Sequence, residues 1–332
     1  MKAYKYLFSL TVPLSISISL FVKGASWFAL IYAFLIIPAL EFIFKSSNEN
    51  LSSSLEQKYV NSKYFDLILW MTVLSHFVLF YYFLEISYQS KFDMALLGKI
   101  VSIGIACGVV GINVAHELGH RKSFVERYAS LALLLTSQYM HFQIEHNKGH
   151  HRHVATPLDP ATARYNESLY QFIPRSVIGS WLSAFKLDRK QTLVFGAIQV
   201  LLILIIYYFY DLKTMLAFIL AATIGFILLE IVNYIEHYGL NRNVTSSGRF
   251  EKVLPKHSWN SDFIMSRLAL FELSRHSDHH ANASRKYQVL RSFEDAPQMP
   301  TGYPGMMLLS LIPTLWFKVM NKRLKVLGIA NG

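Results

Sequence analysis

Six runs of about twenty apolar residues dominate this 332-residue chain. Each is long enough to cross a hydrocarbon core roughly 30 Å thick as a helix rising about 1.5 Å per residue. The runs are Tyr6 to Val22, Ala25 to Phe44, Phe65 to Leu84, Leu96 to Ala115, Leu193 to Tyr210 and Met215 to Tyr234. Backbone inside lipid must satisfy its own hydrogen bonds, so the runs predict an all-α fold with six transmembrane helices. Composition agrees, since 53% of the residues are hydrophobic and only 16% charged, whereas an ordinary soluble domain carries about a quarter. A cleaved signal peptide is the competing reading of the first run, because Lys2 and Lys5 precede it and Gly24-Ala25-Ser26 follows. The length of that run and the immediate start of the next favour a retained helix.

The net charge of +11 is placed by topology. Of 32 Lys and Arg, two precede span one, three lie between spans two and three, ten between spans four and five, and thirteen after span six. By the positive-inside rule both termini and the two large basic segments are cytoplasmic. Basic charge distributed this way, without interleaved stacking aromatics, gives no reason to expect nucleic acid as a partner. One cysteine, Cys107, leaves neither an internal disulfide nor a four-cysteine iron site. The expected organisation is a single integral membrane catalytic domain over 1–332, with membrane helices in 1–115 and 193–238. Residues 116–192 and 239–332 are expected to form a helical cytoplasmic cap. In the tail, Trp259, Phe263, Leu268 and Phe271 have helix-compatible spacing, and "YPGMMLLSLIPTLWFKVMNKR" reads as an interfacial segment interrupted by Pro313.

Nine of the thirteen histidines fall into four groups: His116 and His120; His146, His150 and His151; His237; and His276, His279 and His280. Spacings of three and four put imidazoles on one helix face. All four groups sit at or below the cytoplasmic ends of spans, so they can meet just beneath the bilayer. Nine imidazole lone pairs exceed what one tetrahedral ion takes and suit two ions of coordination four to five. Imidazole alone does not choose between iron, copper, zinc and nickel.

"HELGH" from His116 to His120 also fits the zinc protease pattern, in which Glu117 would be the general base. That reading leaves six clustered histidines without a task. A metal transporter would need ligands near the membrane midplane, where the spans carry almost no histidine. His76 reads as a hydrogen-bonded core residue, and His141, His153 and His257 as residues outside the ligand set. Glu41 and Glu230 are intramembrane acids and therefore candidates for a role.

"HELGHRK" at His116, "EHNKGHHRHVATPLDPATAR" at Glu145, "NYIEHYGL" at Asn233 and "RHSDHHANASRKYQVLR" at Arg275 resemble the integral-membrane alkane 1-monooxygenases, within the histidine-motif membrane desaturases and hydroxylases. The resemblance continues through "HSWNS" and "PTGYPG" and covers essentially His116 to Met320. It implies a multi-pass protein of the bacterial inner membrane whose cap holds two iron ions on the nine histidines. It also implies hydroxylation of the terminal methyl of a linear alkane, using O2 and electrons from rubredoxin and its NADH-dependent reductase. Alkyl-aromatic methyls and fatty acyl chains remain alternative substrates, because the histidine motifs constrain reaction type better than substrate. Among the acids near the ligands, Glu117, Glu145, Asp159, Glu236 and Asp278 are candidates for orienting imidazoles, and Glu236 and Asp278 are the favoured pair expected to support catalysis. Ala33, Leu35 and Trp70 are expected to line the substrate channel, Ala33 leaving room for a long chain.

Overall fold

The computed structural model describes residues 1–44 and 46–328. It is all-helical: among the described residues only three isolated bridges, and no β-strand, depart from helix, turn and loop. Among the described residues, five helices are long and apolar enough to cross a membrane: Ala3–Phe21, Lys63–Gln89, Met94–Gly119, Arg189–Phe209 and Leu212–His237. The expected second span is a shorter apolar helix, Phe28–Ile43, widened by a π segment over Tyr32–Ile36. At about 1.5 Å per residue it reaches only ~24 Å.

Local chemistry sets the helix starts. Asp93 accepts from the Leu96 amide at 2.8 Å, Asp211 from Thr214 at 2.7 Å and Asp188 from Gln191 at 3.1 Å. Each satisfies an N–H that would otherwise lack a partner. Ser168 and Gln171 form a reciprocal capping box at the start of Leu169–Leu187.

The Met94–Gly119 and Leu212–His237 helices form the centre, and glycine lets them touch. A Cβ on Gly108 would lie 2.9 Å from the Gly225 carbonyl oxygen, and one on Gly225 would lie 2.6 Å from Cys107 Cβ. Small residues four apart are the usual means of bringing membrane helices into backbone contact. This pairing matters for the site, because His116 and His237 stand at the same end of the two helices.

The two basic segments also fold into helices, notably Phe124–Thr136 and Leu169–Leu187, with a short helical stretch over 142–153 and another at His276–Ala281. The spacing of Trp259 to Phe271 does not produce one helix: only Ile264–Ala269 is helical, and Trp259 lies in irregular chain with its indole N–H donating to the Tyr238 carbonyl at 2.9 Å. The apolar stretch near the end is two helices, Tyr303–Ser310 and Pro313–Val326. The second turns Trp316, Met320 and Leu324 inward at a spacing of four, against Tyr234 and Tyr238.

Candidate metal centre

The nine clustered histidines converge into two groups. His116, His120, His146, His151 and His279 form one, and His150, His237, His276 and His280 the other; within each group the candidate ligand atoms all lie within 4.8 Å of one another. In the first group Nε2 faces Nε2: 2.8 Å from His116 to His279, 3.1 Å from His120 to His146, 3.0 Å from His146 to His151 and 3.1 Å from His151 to His279. In the second, His276 Nε2 lies 3.2 Å from His237 Nε2 and 2.8 Å from His280 Nε2.

A neutral imidazole offers one lone pair and one N–H, so five Nε2 atoms cannot all be satisfied by one another. A cation resolves the crowding. Two nitrogens about 2.1 Å from a common ion and at right angles to each other are about 3.0 Å apart, which is the observed spacing. His150 Nε2 is buried without any partner. The donor set and its geometry therefore fit two metal ions, one of five and one of four imidazoles.

The division does not follow the sequence groups. His116 and His120 share a group through ordinary helical spacing, as do His276 and His280. His146, His150 and His151 are split, because His146–His150 is a π segment whose wider turn aligns His146 with His151 rather than with His150. The expectation that spacings of three and four put grouped imidazoles on one helix face therefore fails for His146 and His150.

Burial, with smaller contributions from neighbouring imidazoles, pushes His120 down to about 4 and His146, His151, His276, His279 and His280 well below the usual imidazole range. Such rings are neutral at pH 7 and have lone pairs to give. His150 is the exception: burial would lower it, but the Asp159 carboxylate, 2.9 Å from Nδ1, raises it to about 9. Metal binding at its Nε2 requires loss of one proton, while the Nδ1–H bond to Asp159 persists. The 155–162 loop fixes Asp159 through the Ala161 amide at 3.0 Å and the Thr162 hydroxyl at 2.5 Å.

The two favoured acids part company. Glu236 Oε2 is 3.2 Å from His276 Nε2, on the ligand side of the ring, and Oε1 accepts from the Tyr303 hydroxyl at 2.6 Å. Asp278 reaches no imidazole; its carboxylate takes Arg285 at 2.7 Å, Asn282 at 2.7 Å and the Arg291 amide at 2.8 Å. Helical geometry explains the correction, since Asp278 lies between ligands and points to the opposite face of His276–Ala281. Asp159 is the carboxylate that orients a histidine. Glu117, the general base of the zinc protease pattern, is ion-paired with Arg121 at 3.0 Å. His76 bonds Thr136 at 2.8 Å inside the core. Glu230 accepts from Tyr139 at 2.8 Å, while Glu41 binds the Ser266 amide at 3.2 Å and the Ser266 hydroxyl.

An apolar cavity of about 970 Å³, its mouth included, is lined by His116, His146 and His276 and also by Val12, Ala33 and Leu228. Ala33 is on its wall. Leu35, two residues on, faces outward at 65% exposure, and Trp70 is partly buried against a hydrophobic core cluster and does not line the cavity; both channel assignments are corrected. Tyr303 and Asn113 also line the cavity, and nothing in their sequence surroundings signals it.

A helical bundle with five membrane-length apolar helices and two convergent histidine groups defines a class, the multi-pass membrane proteins built to hold metal. Residues 94–310 match the fatty acid desaturase family. Alkane 1-monooxygenase 2 of Alcanivorax borkumensis is 38% identical over 98% of this chain and 91% of its own length. Alkane 1-monooxygenase of Pseudomonas putida is 34% identical over 100% and 87%. The hydroxylase component of xylene/toluene monooxygenase from Pseudomonas putida is 28% identical over 69% and 64%. The chain belongs to the fatty acid desaturase family and, within it, to the alkane 1-monooxygenases.

Proposed function

We propose that this protein hydroxylates the terminal methyl of linear alkanes to give 1-alkanols, with two iron ions held by the nine histidines and with O2 as the oxygen source. Electrons come from rubredoxin and its NADH-dependent reductase; the single cysteine here, buried Cys107, offers no four-cysteine iron site within these residues. The observation that carries the proposal is one cavity with two kinds of wall: hydrocarbon along most of its lining and imidazole at His116, His146 and His276.

An unactivated methyl C–H gives acid, base or nucleophile nothing to act on, and the bound irons supply the activation of O2 that such a bond requires. The protein's own residues do the placing. Val12, Ile105, Leu228 and Val232 hold an alkyl chain without polar contact and exclude water from the histidine groups. A chain that enters from lipid gains little from burial, far less than the roughly 0.8 kcal/mol per methylene of transfer from water. Shape therefore selects. Glu236 and Tyr303 form the polar rim where the hydrocarbon wall meets imidazole, and Tyr303 orients the Glu236 carboxylate by donating to Oε1. Asp159 fixes the His150 ring from behind.

We place the protein in the bacterial inner membrane with both termini and the histidine-bearing segments on the cytoplasmic side, in keeping with the Lys and Arg distribution. Metal analysis of purified protein with octane and hexadecane turnover, supplied with rubredoxin, reductase and NADH, tests the proposal. Two irons per chain and 1-alkanol product are expected. One zinc with peptide cleavage, or bound metal without alkanol, overturns it.

A further inference from the structure

Between the Ile264–Ala269 helix and the helix that begins at His276, the chain makes a turn in which two consecutive non-glycine residues are left-handed: Phe271 at φ 53° and Glu272 at φ 58°. L residues avoid this region because Cβ crowds the carbonyl oxygen. The turn has two faces. Leu270 and Leu273 line the apolar cavity, as does His276 three residues further on. Glu272 points away, fully buried, to accept from the Tyr6 hydroxyl at 2.6 Å and from Arg267 Nε at 2.6 Å. Arg267 in turn reaches the Ser47 carbonyl at 2.6 Å. From the cavity side, the Asn113 amide donates to the Leu270 carbonyl at 3.0 Å.

A buried ion pair is a poor source of net stability, since desolvation offsets most of its attraction, but it constrains direction strongly. Here the constrained object is a strained turn that forms the wall next to His276. We propose that Tyr6, Glu272 and Arg267 form a clasp that positions this turn, and that the clasp sets which carbon of the alkyl chain is presented to the histidine groups. Glu272 is thus a positioning residue for regioselectivity, acting through Leu270 and Leu273. The inference rests on the alkane hydroxylase reading above.

Tyr6→Phe removes one hydroxyl and leaves the Glu272–Arg267 pair in place, and Leu273→Ala alters the wall without touching the clasp. Full-length, metal-loaded wild type and both variants are supplied with octane, rubredoxin, reductase and NADH, and 1-octanol and 2-octanol are quantified. Amide hydrogen exchange over 264–276 is followed in parallel on loaded and metal-free protein. In Tyr6→Phe the 2-octanol to 1-octanol ratio should rise by about 3- to 10-fold, the range that one hydrogen bond gives in a ratio of rates. Exchange over 264–276 should accelerate, with or without metal. Leu273→Ala should shift the ratio in the same direction with no change in exchange at Tyr6. Faster exchange with an unchanged ratio would make the clasp merely structural and overturn the inference while alkane hydroxylation stands. An unaltered ratio in Leu273→Ala would do the same. A wild type that makes no octanol overturns the functional reading and, with it, this inference.

Discussion

His150 carries the clearest consequence of single-residue chemistry, because one ring nitrogen faces Asp159 and the other faces the second histidine group without a partner. His150→Ala should leave the chain helical by circular dichroism, lower bound metal from two ions to about one per chain, and abolish turnover. His153→Ala should keep both metals, since His153 is half-exposed and belongs to neither group. Asp159→Asn should weaken metal binding by about 10- to 100-fold, the usual effect of removing the carboxylate behind a ligating imidazole, measurable by chelator competition. Glu272 supplies a pH effect of definite sign. Burial alone would raise its carboxyl, but Arg267 and Arg275 hold it below the ordinary value of 4.5. A depressed acid stabilises the fold fully above its unfolded pKa, and that contribution is lost as pH falls through the lower folded value. The difference in thermal midpoint between wild type and Glu272→Gln, measured in detergent from about pH 6 down to about pH 3, should therefore shrink. Which imidazoles come together was legible in their spacing, but the carboxylate and hydroxyl groups around them were not. Asp159 lies nine residues from the ring it orients and Tyr303 lies 67 from Glu236, so proximity in sequence pointed instead to Asp278.

At the scale of elements, the π segment His146–His150 decides which metal group each histidine joins. Deleting Asn147 would let this stretch close into an ordinary helix with His146 four residues before His151, so those two rings stay on one face. Both metals and the helicity should therefore be retained; loss of metal in the deletion variant would contradict this account of the turn. The Gly108–Gly225 contact makes a second case. A valine at 108 places its Cβ against the Gly225 carbonyl, and the two central helices must separate. Overpacking of this kind costs about 1–3 kcal/mol, visible as a lower thermal midpoint, and it should loosen metal because His116 and His237 ride on those two helices. Hydropathy found the long helices and missed the shortness of Phe28–Ile43, since apolar residues at its ends, such as Phe44, count toward a span without being helical. Period and composition carry no mark of a π turn, so the split of His146 from His150 could be read only from the backbone.

The whole molecule joins two environments that seldom meet: a hydrocarbon-walled cavity among the apolar helices and a paired imidazole site at their ends. On the proposed function, cavity length governs which chains fit, and Ala33 is a small residue on the cavity wall. Ala33→Trp should retain turnover of octane and lose most of that of hexadecane, compared by product formation with the same reductase system. Equal rates for both alkanes in the variant would mean that Ala33 does not limit the chain. That a small residue at 33 faces inward while Leu35 faces out was not readable from an apolar run whose residues are hydrophobic all round. Elemental imaging of the metal positions addresses the centre of the mechanism most directly, through anomalous scattering at the iron edge from crystals of the full chain. Two iron peaks are expected, one within about 2.3 Å of Nε2 of His116, His120, His146, His151 and His279 and the other equally near those of His150, His237, His276 and His280. A single peak, a zinc edge, or iron lying away from these rings would contradict it.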